Sequence, residues 1–141
     1  DGIILSGGPA SVYEHNAPTM DKKILDLGIP ILGICYGLQL IGKFVNGEVL
    51  GGKLKEFGKK ELHIKKHGKL LKGLSNKEQV WMSHGDLVAK LPKEFEVLAS
   101  TDTCPISAFE NNAKKLYPIL LKKDGMMKQN MLINKNLKKD Y

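Results

Sequence analysis

The sequence predicts an α/β fold: an open, mostly parallel sheet with flanking helices and a smaller antiparallel β portion. Three observations predict it. Two short apolar runs, at residues 3–5 and 29–34, each end in a Gly-rich stretch. Helical spacing follows each of them. Strand, helix, strand, helix in that order implies parallel strands joined by crossover helices.

Ile3-Ile4-Leu5 is stopped by Ser6-Gly7-Gly8-Pro9, which reads as a buried strand entering a tight loop. Residues 19–27 read as a helix, with Met20, Ile24 and Leu27 on one face. Thr19 is its expected N-cap and Gly28 its stop. Residues 29–34 form the second apolar strand, and Cys35 follows at once. Residues 36–45 have helical spacing through Leu38, Ile41 and Val45. Residues 48–66 are glycine-rich and basic, with short alternating pieces that suggest hairpins. Val80-Trp81-Met82 reads as a short strand running into Ser83-His84-Gly85-Asp86. Residues 96–100 and 106–110 read as strands around a turn at Asp102 and Pro105, and Leu116-Tyr117 opens another apolar stretch. From residue 122 the chain is rich in Lys, Asn and Met, with no clear apolar face.

The totals narrow the function. A chain of 141 residues fits one domain. No apolar run approaches the ~18 residues of a membrane span, and no signal peptide is visible. Two cysteines make no disulfide framework, so a reducing cytoplasm is expected. The net charge of +7 comes from dispersed lysines, with no arginine for bidentate phosphate or base contacts. Few aromatics leave no stacking surface, so no nucleic-acid partner is expected.

Gly33-Ile34-Cys35-Tyr36-Gly37 lies between a strand and a helix. A nucleophile on a tight strand-to-helix turn needs small residues two positions to either side. The turn lifts the side chain off the sheet edge and sets the sulfur at a helix N-terminus, where thiolate is favoured. The Tyr36 N–H then faces the oxyanion of an attacked carbonyl. The pattern also fits a buried structural cysteine. Ser6-Gly7-Gly8-Pro9 fits both an ordinary turn and a backbone donor at the strand's C-terminal end. Cysteine chemistry needs a base, normally histidine. His15, His63 and His67 lie in polar or basic stretches, and His84 fits a loop-shaping role.

Together these stretches resemble the class I (triad) glutamine amidotransferases, through Ile4-Leu5-Ser6-Gly7-Gly8-Pro9 and Gly33-Ile34-Cys35-Tyr36-Gly37-Leu38-Gln39. The glutaminase domains of GMP synthases are similar in more detail, at Glu56-Phe57-Gly58, Val80-Trp81-Met82-Ser83-His84-Gly85-Asp86 and Ser100-Thr101-Asp102-Thr103-Cys104-Pro105. The resemblance covers residues 1–117 and leaves 118–141 as an atypical tail. It implies that Cys35 attacks the glutamine side-chain amide, giving a glutamyl thioester and ammonia. Gly8 and Tyr36 resemble the oxyanion-hole residues, acting through backbone N–H. Gln39, Ser83 and His84 resemble residues near bound glutamine, and Asp86 a residue facing a synthetase domain. It implies no cofactor or metal here. ATP and Mg belong to that ATP-pyrophosphatase domain, which aminates XMP and is either fused or a separate partner.

Two departures qualify the resemblance. The family's first strand and helix do not precede Asp1. The family's Gly-x-Gln-Phe-His-Pro-Glu pattern, whose His and Glu complete the triad, does not follow Tyr117, and no His or Glu occurs from residue 111 onward. The abrupt change leads to the expectation of a shifted reading frame or degraded gene over 118–141, with impaired activity. The alternatives are a catalytically dead amidotransferase-like fragment, or another class I amidotransferase or gamma-glutamyl hydrolase.

Overall fold

The computed structural model describes residues 1–51 and 56–120. Nine strands, one α-helix and one 3-10 turn make up the described elements. Strands β1 (Ile3–Leu5), β2 (Ile31–Ile34) and β9 (Leu116–Ile119) pair in parallel, with Leu5 opposite Gly33 and Ile34 opposite Ile119. The sheet then continues antiparallel through β8 (Ala108–Glu110), β7 (Glu96–Ser100), β4 (Glu56–Ile64) and β5 (Lys77–His84). Its order is β1-β2-β9-β8-β7-β4-β5. The α/β class holds, with a mixed sheet whose parallel pairings are confined to β1, β2 and β9. A second, two-stranded sheet pairs β3 (Glu48–Leu50) with β6 (Leu87–Lys90).

Hydrophobic pattern and burial agree along this frame. All four residues of β2 are buried, as a parallel strand covered on both faces requires. Helix α1 (Tyr36–Phe44) buries Tyr36 through Gly42 and packs on β2, β3 and β9. In β5, Val80, Met82 and His84 alternate inward while Trp81 and Ser83 face out. The core joins Leu38 and Ile41 of α1 to Ile31, Leu98, Phe109 and Leu116 of the sheet.

Two expected elements differ. Residues 19–27 do not form an α-helix. The segment makes only a 3-10 turn, Lys22–Asp26, and Asp21 rather than Thr19 caps it, its Oδ1 accepting from Lys23 N–H at 2.9 Å. The anticipated stripe is not the buried one: Leu25 is buried, while Leu27 is 58% exposed. The alternating pieces of 48–66 are strands, but not a hairpin with each other. Strand β3 pairs with β6 and β4 with β5, because buried faces decided the pairing over sequence proximity. The apolar stretch that opens at Leu116-Tyr117 is a strand. Strand β9 continues to Ile119 and Leu120 N–H donates to Ser107 O at 2.7 Å. Residues 121–141, most of the tail and the frame reading attached to it, lie outside the described residues.

Candidate active site

The turn between β2 and α1 carries the reactive candidate. Cys35 sits there with φ 50° and ψ −104°, a strained left-handed conformation for a residue with a Cβ. Its N–H donates to Ile119 O at 3.0 Å, and its C=O accepts from Gln39 N–H at 3.2 Å, the first bond of α1. The sheet therefore holds one side of the turn and the helix the other. The flanking glycines are dictated by contact. A Cβ on Gly37 would lie 2.2 Å from Leu5 O, and one on Gly33 would lie 2.9 Å from the Gly37 carbonyl. The elbow thus closes only with glycine on both sides.

The Ser6–Pro9 loop follows β1 and lies against the elbow. A Cβ on Gly7 would meet Cys35 Cβ at 3.3 Å, and one on Gly8 would meet the Tyr36 ring at 3.9 Å. The Tyr36 hydroxyl donates to Pro18 O at 2.5 Å and so anchors the loop after Pro9. Burial raises the tyrosine's pKa, and the Glu14 and Asp86 carboxylates raise it further.

These pieces border a cavity of about 420 Å³. Cys35, Tyr36 and Gln39 form its floor, Gly8 to Ser11 and Glu14 one wall, and Phe57 with Ser83 to Asp86 the other. That volume is in the range of small-molecule sites. All seven residues singled out from the sequence line it: Gly8, Cys35, Tyr36, Gln39, Ser83, His84 and Asp86.

Their side chains do different work. Gln39 is buried and its Nε2 donates to Asp86 O at 2.8 Å, so its amide braces the opposite wall. His84 is buried too. Nδ1 donates to the same Asp86 O at 2.8 Å, and Nε2 lies 2.9 Å from Glu56 Oε2. With both nitrogens engaged, His84 is not presented to the Cys35 sulfur as a base. Asp86 differs from a surface residue facing another domain. It is 5% exposed, and its carboxylate turns inward to accept from Val12 N–H at 3.2 Å. His63 and His67 lie elsewhere, partnered by Asp102 and Leu74 O.

Sequence reasoning missed Glu14 and Phe57 as cavity residues and Glu56 behind the wall. Glu56 is 2% exposed, and its oxygens accept from Thr101 (2.7 Å), Thr103 and His84. Burial pushes its carboxyl pKa up, but the hydrogen bonds from Thr103, Thr101 and His84 together outweigh this and hold it below 4.5. Glu56-Phe57-Gly58 stood out as a motif, but nothing local in it signals contact with residues 84 and 101.

The two cysteines are differently placed. Cys104 is wholly buried, and burial raises its thiol pKa. Cys35 is half-buried at the cavity floor. Among the described residues no helix is long and apolar enough to cross a membrane.

Comparison with known proteins shows the family. The sequence profile of class-I glutamine amidotransferases matches residues 1–119. The chain is 48% identical over 118 residues to a glutamine-hydrolysing GMP synthase of Clostridium botulinum, covering 84% of this chain and 23% of that protein. It is 50% identical, over the same shares, to the corresponding protein of Caldicellulosiruptor saccharolyticus. The chain thus spans about a quarter of the length of these relatives. Among solved structures, a Thermoplasma acidophilum protein provisionally assigned as one subunit of a GMP synthase superposes with TM-score 0.80 at 28% identity, over 96% of this chain and 70% of that one. A glutamine amidotransferase of Thermotoga maritima shares the fold, with TM-score 0.72 at 20% identity over 99% of this chain and 71% of that one. The chain belongs to the class I glutamine amidotransferase family.

Proposed function

We propose that this chain is the glutamine-handling part of a GMP synthase, with Cys35 as nucleophile toward the glutamine side-chain amide. The observation that carries this reading is the strained elbow. It sets Cys35 on the floor of the cavity, between the Ser6–Pro9 loop and the Ser83–Asp86 turn. Attack of the sulfur forms a C–S bond and a tetrahedral oxyanion, which the N–H groups of Gly8 and Tyr36 receive. Collapse breaks the C–N bond, ammonia leaves with a proton, and a glutamyl thioester remains for water to cleave. The cavity needs no metal or cofactor for these steps. The likeness to glutamine-hydrolysing GMP synthases supports an ATP-dependent synthetase domain as recipient of the ammonia, for amination of XMP. Phe57, 62% exposed at the cavity rim, fits a role in enclosing the substrate.

Proton transfer is the weak step. Between residues 111 and 141 there is no His or Glu, and His84 has both nitrogens engaged. On these residues, thiolate formation and protonation of the departing nitrogen have no general base and acid, an arrangement that costs several powers of ten in rate. This second observation favours a glutamine site that binds and acylates slowly over an efficient glutaminase. Ammonia release from glutamine tests both parts. The expected outcome is slow release that disappears in Cys35→Ser. Release that survives Cys35→Ser overturns the assignment of the nucleophile, and turnover above about 1 per second, in the ordinary enzyme range, overturns the impairment.

A further inference from the structure

Glu56 and His84 are direct cross-strand partners of β4 and β5, both on the inner face of the sheet. A buried carboxylate on a sheet's inner face is costly unless its oxygens are satisfied. Here every donor around it is committed. Thr101 Oγ1 accepts from Cys104 N–H at 3.0 Å, which leaves its proton for Glu56. Thr103 donates to the same oxygen. The other oxygen takes His84 Nε2. Across the ring, His84 Nδ1 and Gln39 Nε2 converge on Asp86 O. One chain of hydrogen bonds therefore runs from the turn after β7, through Glu56 and His84, to helix α1 directly after Cys35.

We propose that Glu56 is a positioning residue for the glutamine pocket. It fixes the His84 ring, and through Asp86 O holds the Ser83–Asp86 wall at its working distance from Cys35. The role rests on the reading of this cavity as the glutamine site. It also gives the motif at Glu56 and the one at Thr101 and Thr103 a single shared purpose. Cys104 lies close by, with ligand atoms of Glu56, His84 and Cys104 within 4.8 Å of one another. The hydrogen bonds at Glu56 and His84 account for that cluster without a cation.

Hydrogen exchange and glutamine protection of Cys35 test the role, and neither needs turnover. Glu56→Ala leaves the His84 ring and two hydroxyls without their acceptor. Glu56→Gln keeps the acceptor for the threonines through its amide oxygen and keeps a partner for the His84 ring, the amide N–H donating to a neutral Nε2. In Glu56→Ala, amide exchange over residues 80–88 should rise about tenfold. The glutamine concentration that half-protects Cys35 from iodoacetamide should also rise about tenfold. The iodoacetamide rate without glutamine should stay within about twofold, since the elbow itself is untouched. Glu56→Gln should restore both readouts to within about threefold. A merely structural role would not divide substrate binding from thiol reactivity in this way. Unchanged exchange in Glu56→Ala overturns the proposal, as does raised exchange with unaltered protection. Should Glu56→Ala fail to fold, Thr101→Val, which removes one donor, is read by the same two outcomes. Failure of the underlying reading looks different: Cys35 of the unaltered chain is then unprotected by glutamine, and the positioning role falls with it.

Discussion

Gly37→Ala gives the sharpest structural test of the elbow. The added Cβ would lie 2.2 Å from Leu5 O, where ordinary contact starts at 3.4 Å, an overlap of 3.4 − 2.2 = 1.2 Å. The obstacle is backbone, so no rotamer relieves it, and Leu5 Cβ is a second obstacle at 2.8 Å. Relief requires β1 to move away from α1. Strand β1 pairs with β2 through three register positions only, and its loop contacts Cys35, so the shift also disturbs the cavity. Overpacking of this kind costs about 1–3 kcal/mol, and the upper half applies where backbone must move. Alanine returns less than ~1 kcal/mol in helix propensity. The net expectation is a loss of about 2 kcal/mol, which lowers the urea midpoint by about 1 M at a slope of ~2 kcal/mol/M. Circular dichroism in urea reads it, with Gly85→Ala as control because its Cβ would meet nothing within 4 Å. Equal midpoints for the two variants would refute the close-packed elbow.

Further outcomes follow from the wall of the cavity. Gln39→Leu fills nearly the same volume but leaves Asp86 O with His84 as its remaining donor. It should cost about 1–2 kcal/mol in urea unfolding and weaken glutamine protection of Cys35. Glu56 makes stability depend on acid. Its folded pKa is below 4.5, so its contribution is complete above that value and is lost as pH falls through the lowered one. The stability advantage of the unaltered chain over Glu56→Gln should therefore shrink below about pH 4.5. Urea midpoints across that range check it, and an advantage constant with pH would contradict the cause given.

Much of the parallel part was legible in the sequence because its signals are local. The apolar run 29–34, the glycines two positions either side of Cys35 and the spacing of Leu38 and Ile41 are each readable within a dozen residues of sequence, although the contact that requires Gly37 comes from Leu5. The antiparallel part was not legible in its pairing. Period-2 alternation marks β4 and β5 as half-buried strands, but it does not say that Glu56 meets His84 or that Thr101 closes over both. Those contacts are 28 and 45 residues apart. The 3-10 turn at Lys22–Asp26 failed for another reason. Its apolar residues suit a helix face, but the tertiary fold buries Leu25 and leaves Leu27 exposed. At the site, the residues singled out by identity converge on one cavity, while the inward turn of Asp86 and the bracing role of Gln39 depend on side-chain direction, which spacing does not encode.

The central claim is that Cys35 is a nucleophile aimed at bound glutamine. Labelling with a cysteine-alkylating glutamine analogue, followed by intact mass and peptide mapping, tests it most directly. One adduct on Cys35, suppressed by glutamine, is the predicted result. Cys104, wholly buried, should remain unlabelled in the folded chain. A label on Cys104 instead, or labelling of Cys35 that glutamine does not slow, would contradict the account.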